Sequence, residues 1–368
     1  MMTMMAGAVI SPSLPQIKRV FIETENIALL SRLVITLPAI FIAVFSPLFG
    51  NLIDQFGRKK LLLLSLILYA VGGTSGFFLF NIYSILAGRA ILGIGVAGIM
   101  TIATTLIGDY FTGNERNRFA GLQGAFIGLG GVLFISVAGL FADIHWQMPF
   151  LIYLFAIPVF ILTIFYIYEP KLSSSYKKIK IKTVKYNRSL SWLILLLTFT
   201  GIIFFYMIPV QIPFIIGGFE NTNNAQIGYA ISLSTLSSAL VSANYFRIKK
   251  IFSFRQIFQL SLVFMGIGFF IVSMAHSFSF ILLAMSVSGI GTGLLMPTGS
   301  LWMLAVSPEQ IRGTLVGRIS TASYLGMFFS PVFFQPIING YTVSTAFLTA
   351  SVSMGIIAVV LFGVRTKM

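Results

Sequence analysis

The sequence predicts an all-α membrane protein of about twelve transmembrane helices, the first incomplete, arranged as two six-helix bundles. Three observations predict it. Of 368 residues, 57% are apolar and only 9% are charged, against about 25% charged in an ordinary soluble domain. So few charges cannot cover a water-facing surface on a chain of this length. The apolar residues fall in runs of about 20, the number that crosses a bilayer as a helix. The longest polar interruption, "PKLSSSYKKIKIKTVKYNRS" at 170–189, leaves six such runs after it and, before it, five with a shorter opening segment as the sixth. The bundles are therefore expected at 1–169 and 190–368, with 170–189 as a basic linker.

In chain order, full-length runs lie near 27–53, 61–80, 82–107, 119–142, 147–168 and 191–217, then 225–247, 256–275, 278–304, 313–338 and 343–364. The opening segment, "MMTMMAGAVISPSLPQI", is too short. About 15 residues at ~1.5 Å each reach roughly 23 Å, against a hydrocarbon core of ~30 Å. It has no basic n-region and no small-residue cleavage site, so it does not read as a signal peptide. It is expected to be the outer half of a helix that begins upstream of Met1.

The cations orient the chain. Alternate loops and the C-terminal tail, from Arg58, Lys59 and Lys60 onward, hold 20 of the 24 basic residues. The positive-inside rule places those loops, the linker and the C-terminus in the cytoplasm of an inner (plasma) membrane protein. The net charge of +15 thereby sets topology, and no nucleic-acid partner is expected. Cysteine is absent and the two histidines, His145 and His276, have no metal-ligand spacing. No disulfide, metal or cofactor is expected.

Between the first two complete runs stands "GNLIDQFGRKK" (50–60). Gly50 lacks a side chain and permits close approach of a neighbouring helix. Asp54 ends a helix where the N-terminus of a helix in the other half would attract it. Arg58 can pair with a carboxylate. The plain alternative is a topology anchor of solvated charges worth under about 1 kcal/mol per exposed pair, which suits Lys59 and Lys60. "NERNRFAG" (114–121) and "PEQIRGTL" (308–315) both open a helix with Glu-x-x-Arg, in corresponding loops of the two halves. They form a weak internal repeat of the kind that builds parallel-repeat transporters.

With these features the chain resembles a major facilitator superfamily transporter of the drug-efflux-like twelve-helix group. The resemblance rests on "GNLIDQFGRKK", which matches the signature Gly-x-x-x-Asp-x-x-Gly-Arg-Lys/Arg, with Gly57 as its second glycine. It rests also on "GRAILGIGVAG", "GDYFTGNERNRFAG" and "HWQMPF", where Gln147 holds the family's arginine position. It implies a conformational gate of Gly50, Asp54, Gly57, Arg58 and Asp109. In that gate Asp109 partners Arg58, and Asp54 faces the start of helix eleven near Ile311–Gly313. Two departures stand out. "GGVLFISVAG" has Phe134-Ile135 where the antiporter signature has Gly-Pro, and "NYFRIKKIFSFR" keeps its cations but lacks the aspartate and glycines.

Arg89 is the one cation well inside a span. Burial there costs roughly 2.5–3.5 kcal/mol on insertion scales. It would bind an anionic substrate group or bias a carboxylate's protonation; the alternative is a structural arginine bonded to backbone carbonyls. Gln123, Tyr206, Gln211, Trp302 and Tyr324 are candidates to line a substrate or proton pathway, with ordinary packing as the alternative for each. Pro209 and Pro213 flank Gln211 and make helix seven a bending element. No Asp or Glu lies in the middle of any span, so neutral or anionic amphipathic cargo fits better than a hydrophobic cation.

Two motifs mislead. "GIGVAG" (93–98) satisfies the dinucleotide fingerprint but follows no strand, and close helix packing explains its glycines. "GTSG" (73–76) has the form of an intramembrane serine protease nucleophile, yet neither histidine lies deep in a partner helix.

The chain is thus expected to be an alternating-access exporter of small amphipathic molecules and not an enzyme. Protons are the candidate coupling ion, lipid and substrate are its partners, and it is expected to be monomeric. The alternative is an importer or facilitator of a small polar or anionic solute; an intramembrane serine protease is the remote one.

Overall fold

The computed structural model describes residues 1–170, 186–308 and 311–363. Among them there is no strand, helix follows helix, and nine segments are long and apolar enough to cross a membrane. Two more, α10 (Asn224–Ala243) and α14 (Arg312–Gly340), have 20 and 29 residues. With the opening segment, all twelve expected positions are helical. The protein is an all-α, multi-pass membrane protein.

Where the helices depart from simple rods, proline is the usual cause. The opening segment is broken into α1 (Met2–Ala8), a 3-10 turn at Ser11–Ser13 and α2 (Leu14–Val20). Pro12 and Pro15 cannot donate the bonds that would carry one helix through. The seventh span is likewise two helices, α8 (Arg188–Phe205) and α9 (Met207–Ile216). The Pro209 ring would clash with the carbonyl of Phe205, four residues back, and the break falls there.

In chain order the rest of the first half comprises α3 (Ile27–Phe56), α4 (Arg58–Phe78), α5 (Ile82–Tyr110) and α6 (Gly113–Ile144). A 3-10 segment, Met148–Phe155, then leads into α7 (Ala156–Tyr166). In the second half, the run expected at 225–247 ends sooner. α10 stops at Ala243, and a separate α11 (Tyr245–Ile251) precedes α12 (Phe254–Ser273). Then come α13 (Phe278–Val306), α14 and α15 (Val343–Gly363).

The chain forms two compact units: Met1–Ser173 with Thr222–Ser232, and Ser174–Asn221 with Leu233–Met368. Each is organised round a glycine-rich helix. In the first, α5 lies between α3 and α4. A Cβ at Gly93 would stand 2.6 Å from the Pro38 carbonyl, and one at Gly95 2.6 Å from the Tyr69 nitrogen. "GIGVAG" is therefore a packing surface. In the second, a Cβ at Gly291 of α13 would lie 2.6 Å from the Ser261 carbonyl of α12. Contacts this close need both helices to present bare backbone.

Candidate functional site

The turn between α3 and α4 is built on Gly57. Its backbone sits at φ +84°, ψ 163°, a region open essentially to glycine alone. The reversal leaves the N–H groups of Arg58 and Lys59 at the start of α4, without intrahelical acceptors. Glu169 takes both: Oε1 accepts from Arg58 N at 2.6 Å and Oε2 from Lys59 N at 2.9 Å. The carboxylate lies so close that a Cβ on Gly57 would be 3.0 Å from its carbon. A negative charge here also meets the positive end of the α4 dipole.

Arg58 turns its side chain inward. Nε donates to Asp109 Oδ2 at 3.0 Å and Nη1 to the Ile53 carbonyl at 3.3 Å. The arginine side chain is 7% exposed and the aspartate 29%, so the pair is partly screened. Lys59 Nζ donates to the Ile164 carbonyl at 2.7 Å. The Tyr110 hydroxyl donates to the Tyr168 carbonyl, and the two rings stack with centroids 4.5 Å apart. The turn is thus tied to the ends of α5 and of the α7 segment.

Of the expected gate, the structure brings together Gly57, Arg58 and Asp109. Around Gly50, where close helix approach was expected, there is open space: a Cβ would meet nothing within 4 Å. Asp54 lies on α3, but its side chain is outside the described residues, as are Glu309 and Gln310. Its expected pairing with the start of helix eleven therefore falls outside them too. Glu169 belongs to none of the sequence motifs. The signal that could have found it is an acid followed by proline, where the membrane run stops and the basic linker starts.

Arg89 is 1% exposed. Nε donates to the Val34 carbonyl and Nη2 to the Ala6 carbonyl, each at 2.7 Å. Both acceptors lack their usual helical donor. Pro38, four residues after Val34, has no N–H, and Ala6 lies in the last turn of α1. The guanidinium stands 5.1 Å from the Tyr153 ring centroid. Two tyrosines add further bonds to α1 carbonyls: Tyr69 donates to Met2 at 3.0 Å, and Tyr153 to Met5 at 3.1 Å, where Val9 N also donates at 3.3 Å. Nη1 is buried with no protein partner among the described residues. Two of the three guanidinium nitrogens thus bond backbone carbonyls, as the second of the two sequence readings expects.

The remaining pathway candidates stand on several helices. Gln123 is half-buried on α6, and Tyr324 half-buried on α14. Tyr206 is buried at the α8–α9 break, and Gln211 is buried in α9. Trp302 is 4% exposed and stacks on Phe254 at 6.1 Å. Gln147, in the family's arginine position, donates to the Gly76 and Leu79 carbonyls at 3.3 and 3.4 Å and closes the end of α4. Ser75 bonds its own helix at the Gly72 carbonyl, while His145 follows the end of α6. No hydrolytic pair forms from them.

One carboxylate had no assigned role. Asp143, at the end of α6, accepts from Asn224 N at 2.6 Å and Ala225 N at 3.1 Å, the first residues of α10. Nearby, Ser136 and Ser232 hydroxyls lie 2.9 Å apart, and a Cβ on Gly228 would be 3.1 Å from Gly139 Cα. The expected glycine-proline is absent from α6, and small residues seat α10 against it instead.

The sequence model of the Major Facilitator Superfamily matches residues 1–246 and 219–367. The bacillibactin exporter of Bacillus subtilis (strain 168) is 25% identical over 99% of this chain and 94% of its own length. The class B tetracycline resistance protein of Escherichia coli is 32% identical over 45% of this chain and 42% of its own. Several other relatives are likewise matched over less than half of their length. An inward-open structure of the E. coli xylose transporter XylE superposes with a TM-score of 0.79 over 100% of this chain and 95% of that one. Its 13% identity makes this a likeness of fold alone.

Proposed function

Because the chain belongs to the Major Facilitator Superfamily, a family of transporters and not of enzymes, we propose that it is an exporter of small amphipathic molecules in the plasma membrane. It works by alternating access, with residues 1–169 and 190–368 rocking to expose a midplane site to each side in turn. The observation that carries the export reading is the alignment, over nearly the full length of both chains, with a protein named as an exporter. The basic loops, the linker and the C-terminus face the cytoplasm. The proposed cargo is neutral or anionic, since the spans carry no mid-membrane carboxylate to pair a cation.

Within this reading the turn at Gly57 is a moving part. Glu169 and Asp109 hold Arg58 and the start of α4 in one geometry. Arg89 binds no cargo; it keeps the broken first segment seated against α3 and α5. Importing or facilitating a small polar or anionic solute is the second reading, favoured by the same lack of a buried carboxylate.

Proteoliposomes with an imposed pH gradient separate the readings. Gradient-driven extrusion of neutral or anionic amphiphiles is expected. Uptake down the solute's own gradient, indifferent to pH, would establish the second reading. Gradient-driven export of a hydrophobic cation would remove the cargo assignment.

A further inference from the structure

The connection 244–253 joins two membrane-length helices, α10 and α12, so it lies at a membrane surface. Its short helix α11 is two-faced. Tyr245, 5% exposed, packs with Ile257 and Leu294, and its hydroxyl lies 2.9 Å from Thr298 Oγ1. Ile248 joins the same cluster one turn on. This face is pinned to the protein. The other is open, with Phe246 70% exposed and Ile251 77% exposed.

Cations cluster here: Arg247 and Lys250 are exposed on α11, with Lys249 half-buried beside them and Arg255 at the start of α12, and no Asp or Glu occurs between Glu220 and Glu309. The cations interleave with rings. Lys250 Nζ sits 4.6 Å from the Phe246 centroid, and Lys249 Nζ 4.3 Å from that of Phe254. Phe254 in turn stacks on buried Trp302, their planes 10° apart. Arg247 is steadied by Asn244 Oδ1 at 3.3 Å. Large apolar side chains beside clustered cations, held at the end of two spans, suit a helix lying in the headgroup layer. Such a patch is complementary to negative charge at that depth.

We propose that α11 and the residues flanking it form a binding surface for anionic phospholipid. The phosphate-bearing headgroup lies among Arg247, Lys249 and Lys250, and its acyl chains lie along Phe246 and Ile251. A juxtamembrane cation contributes about fivefold in affinity for such a surface, which is roughly 1 kcal/mol. The inference concerns the lipid and does not depend on the identity of the cargo.

Trp302 provides the probe. Trp146→Phe with Trp192→Phe leaves it as the one tryptophan of the chain, in nanodiscs of phosphatidylcholine holding a brominated lipid as a minor component. Brominated phosphatidylglycerol is expected to quench Trp302 at about a hundredfold lower mole fraction than brominated phosphatidylcholine, three cations at about fivefold each. Adding Arg247→Gln and Lys250→Gln, which leave Lys249 on Phe254, should bring that ratio down to about fivefold. If that variant fails to fold, high salt should lower the ratio in the unsubstituted cationic face. Phe246→Ser should weaken quenching by both lipids alike.

Equal quenching by the two lipids would overturn the proposal, as would a ratio that both charge removal and salt leave undiminished. Loss of the ratio to inorganic phosphate, but not to sodium chloride of equal ionic strength, would assign the site to a free anion. Disulfide crosslinking of Phe246→Cys chains in membranes lacking phosphatidylglycerol would assign the face to a second copy.

Discussion

Arg89 supplies to Val34 the hydrogen bond that Pro38 withholds. The Val34 carbonyl would take its helical bond from residue 38, and instead takes one from Arg89 Nε at 2.7 Å. A buried arginine in a membrane span invites a functional reading. Here its charge is spread over carbonyls freed by a proline within α3 and by the end of α1.

This relationship can be tested by a cycle. Arg89→Lys keeps the charge but loses the planar fork that reaches two carbonyls at once. It should destabilise the protein by about 2 kcal/mol or more, because buried acceptors are left unmade. In a Pro38→Ala background the new N–H can satisfy Val34, so the same substitution should cost less. Thermal unfolding in detergent reads both. Equal costs in the two backgrounds would break the link between Pro38 and Arg89.

Gly57→Ala should be costly for two separate reasons. The backbone lies where a Cβ is strained, worth about 1–3 kcal/mol, and the added atom crowds the Glu169 carboxylate. Glu169→Ala should recover only the second part. Melting temperatures of the single and double variants separate strain from crowding.

Arg58 and Asp109 should be coupled. Removing either leaves a charge facing an uncharged neighbour, so a double-mutant cycle of Arg58→Gln and Asp109→Asn should give a coupling of about 0.5–2 kcal/mol. The modest upper bound reflects the 29% exposure of Asp109. Additive losses would reduce the pair to proximity without interaction.

Asp143→Asn should loosen the start of α10. The carboxylate is a charged cap on two backbone donors, worth about 1–2 kcal/mol. Hydrogen exchange at the Asn224 and Ala225 amides should accelerate by about tenfold, with amides deep in α5 unchanged. Unaltered exchange at 224–225 would remove Asp143 as the cap.

Much of the fold was legible in the sequence because a bilayer imposes a length, and apolar runs of that length are hard to hide. The breaks within runs were less so. Pro209 and Pro213 announced the bend in helix seven, while Pro12 and Pro15 showed what they do only once α1 had neighbours. The Arg58–Asp109 contact was legible through a signature. Glu169 was not, because a lone acid at a helix end is ordinary until the turn at Gly57 brings two bare N–H groups to it. For Arg89, sequence could place a charge at depth but could not show which carbonyls lacked donors.

Those carbonyls bear on how the chain is made. α1 emerges well before its partner: Arg89, which bonds the Ala6 carbonyl, follows it by 83 residues. At about 5–20 residues per second of synthesis, roughly 4–17 s separate the two. During that interval the Ala6 carbonyl, in the last turn of α1, has no donor. Hydrocarbon does not tolerate bare backbone of this kind. The opening segment is therefore expected to wait at the insertion machinery or in the interface, and to take its place only when the later helices arrive.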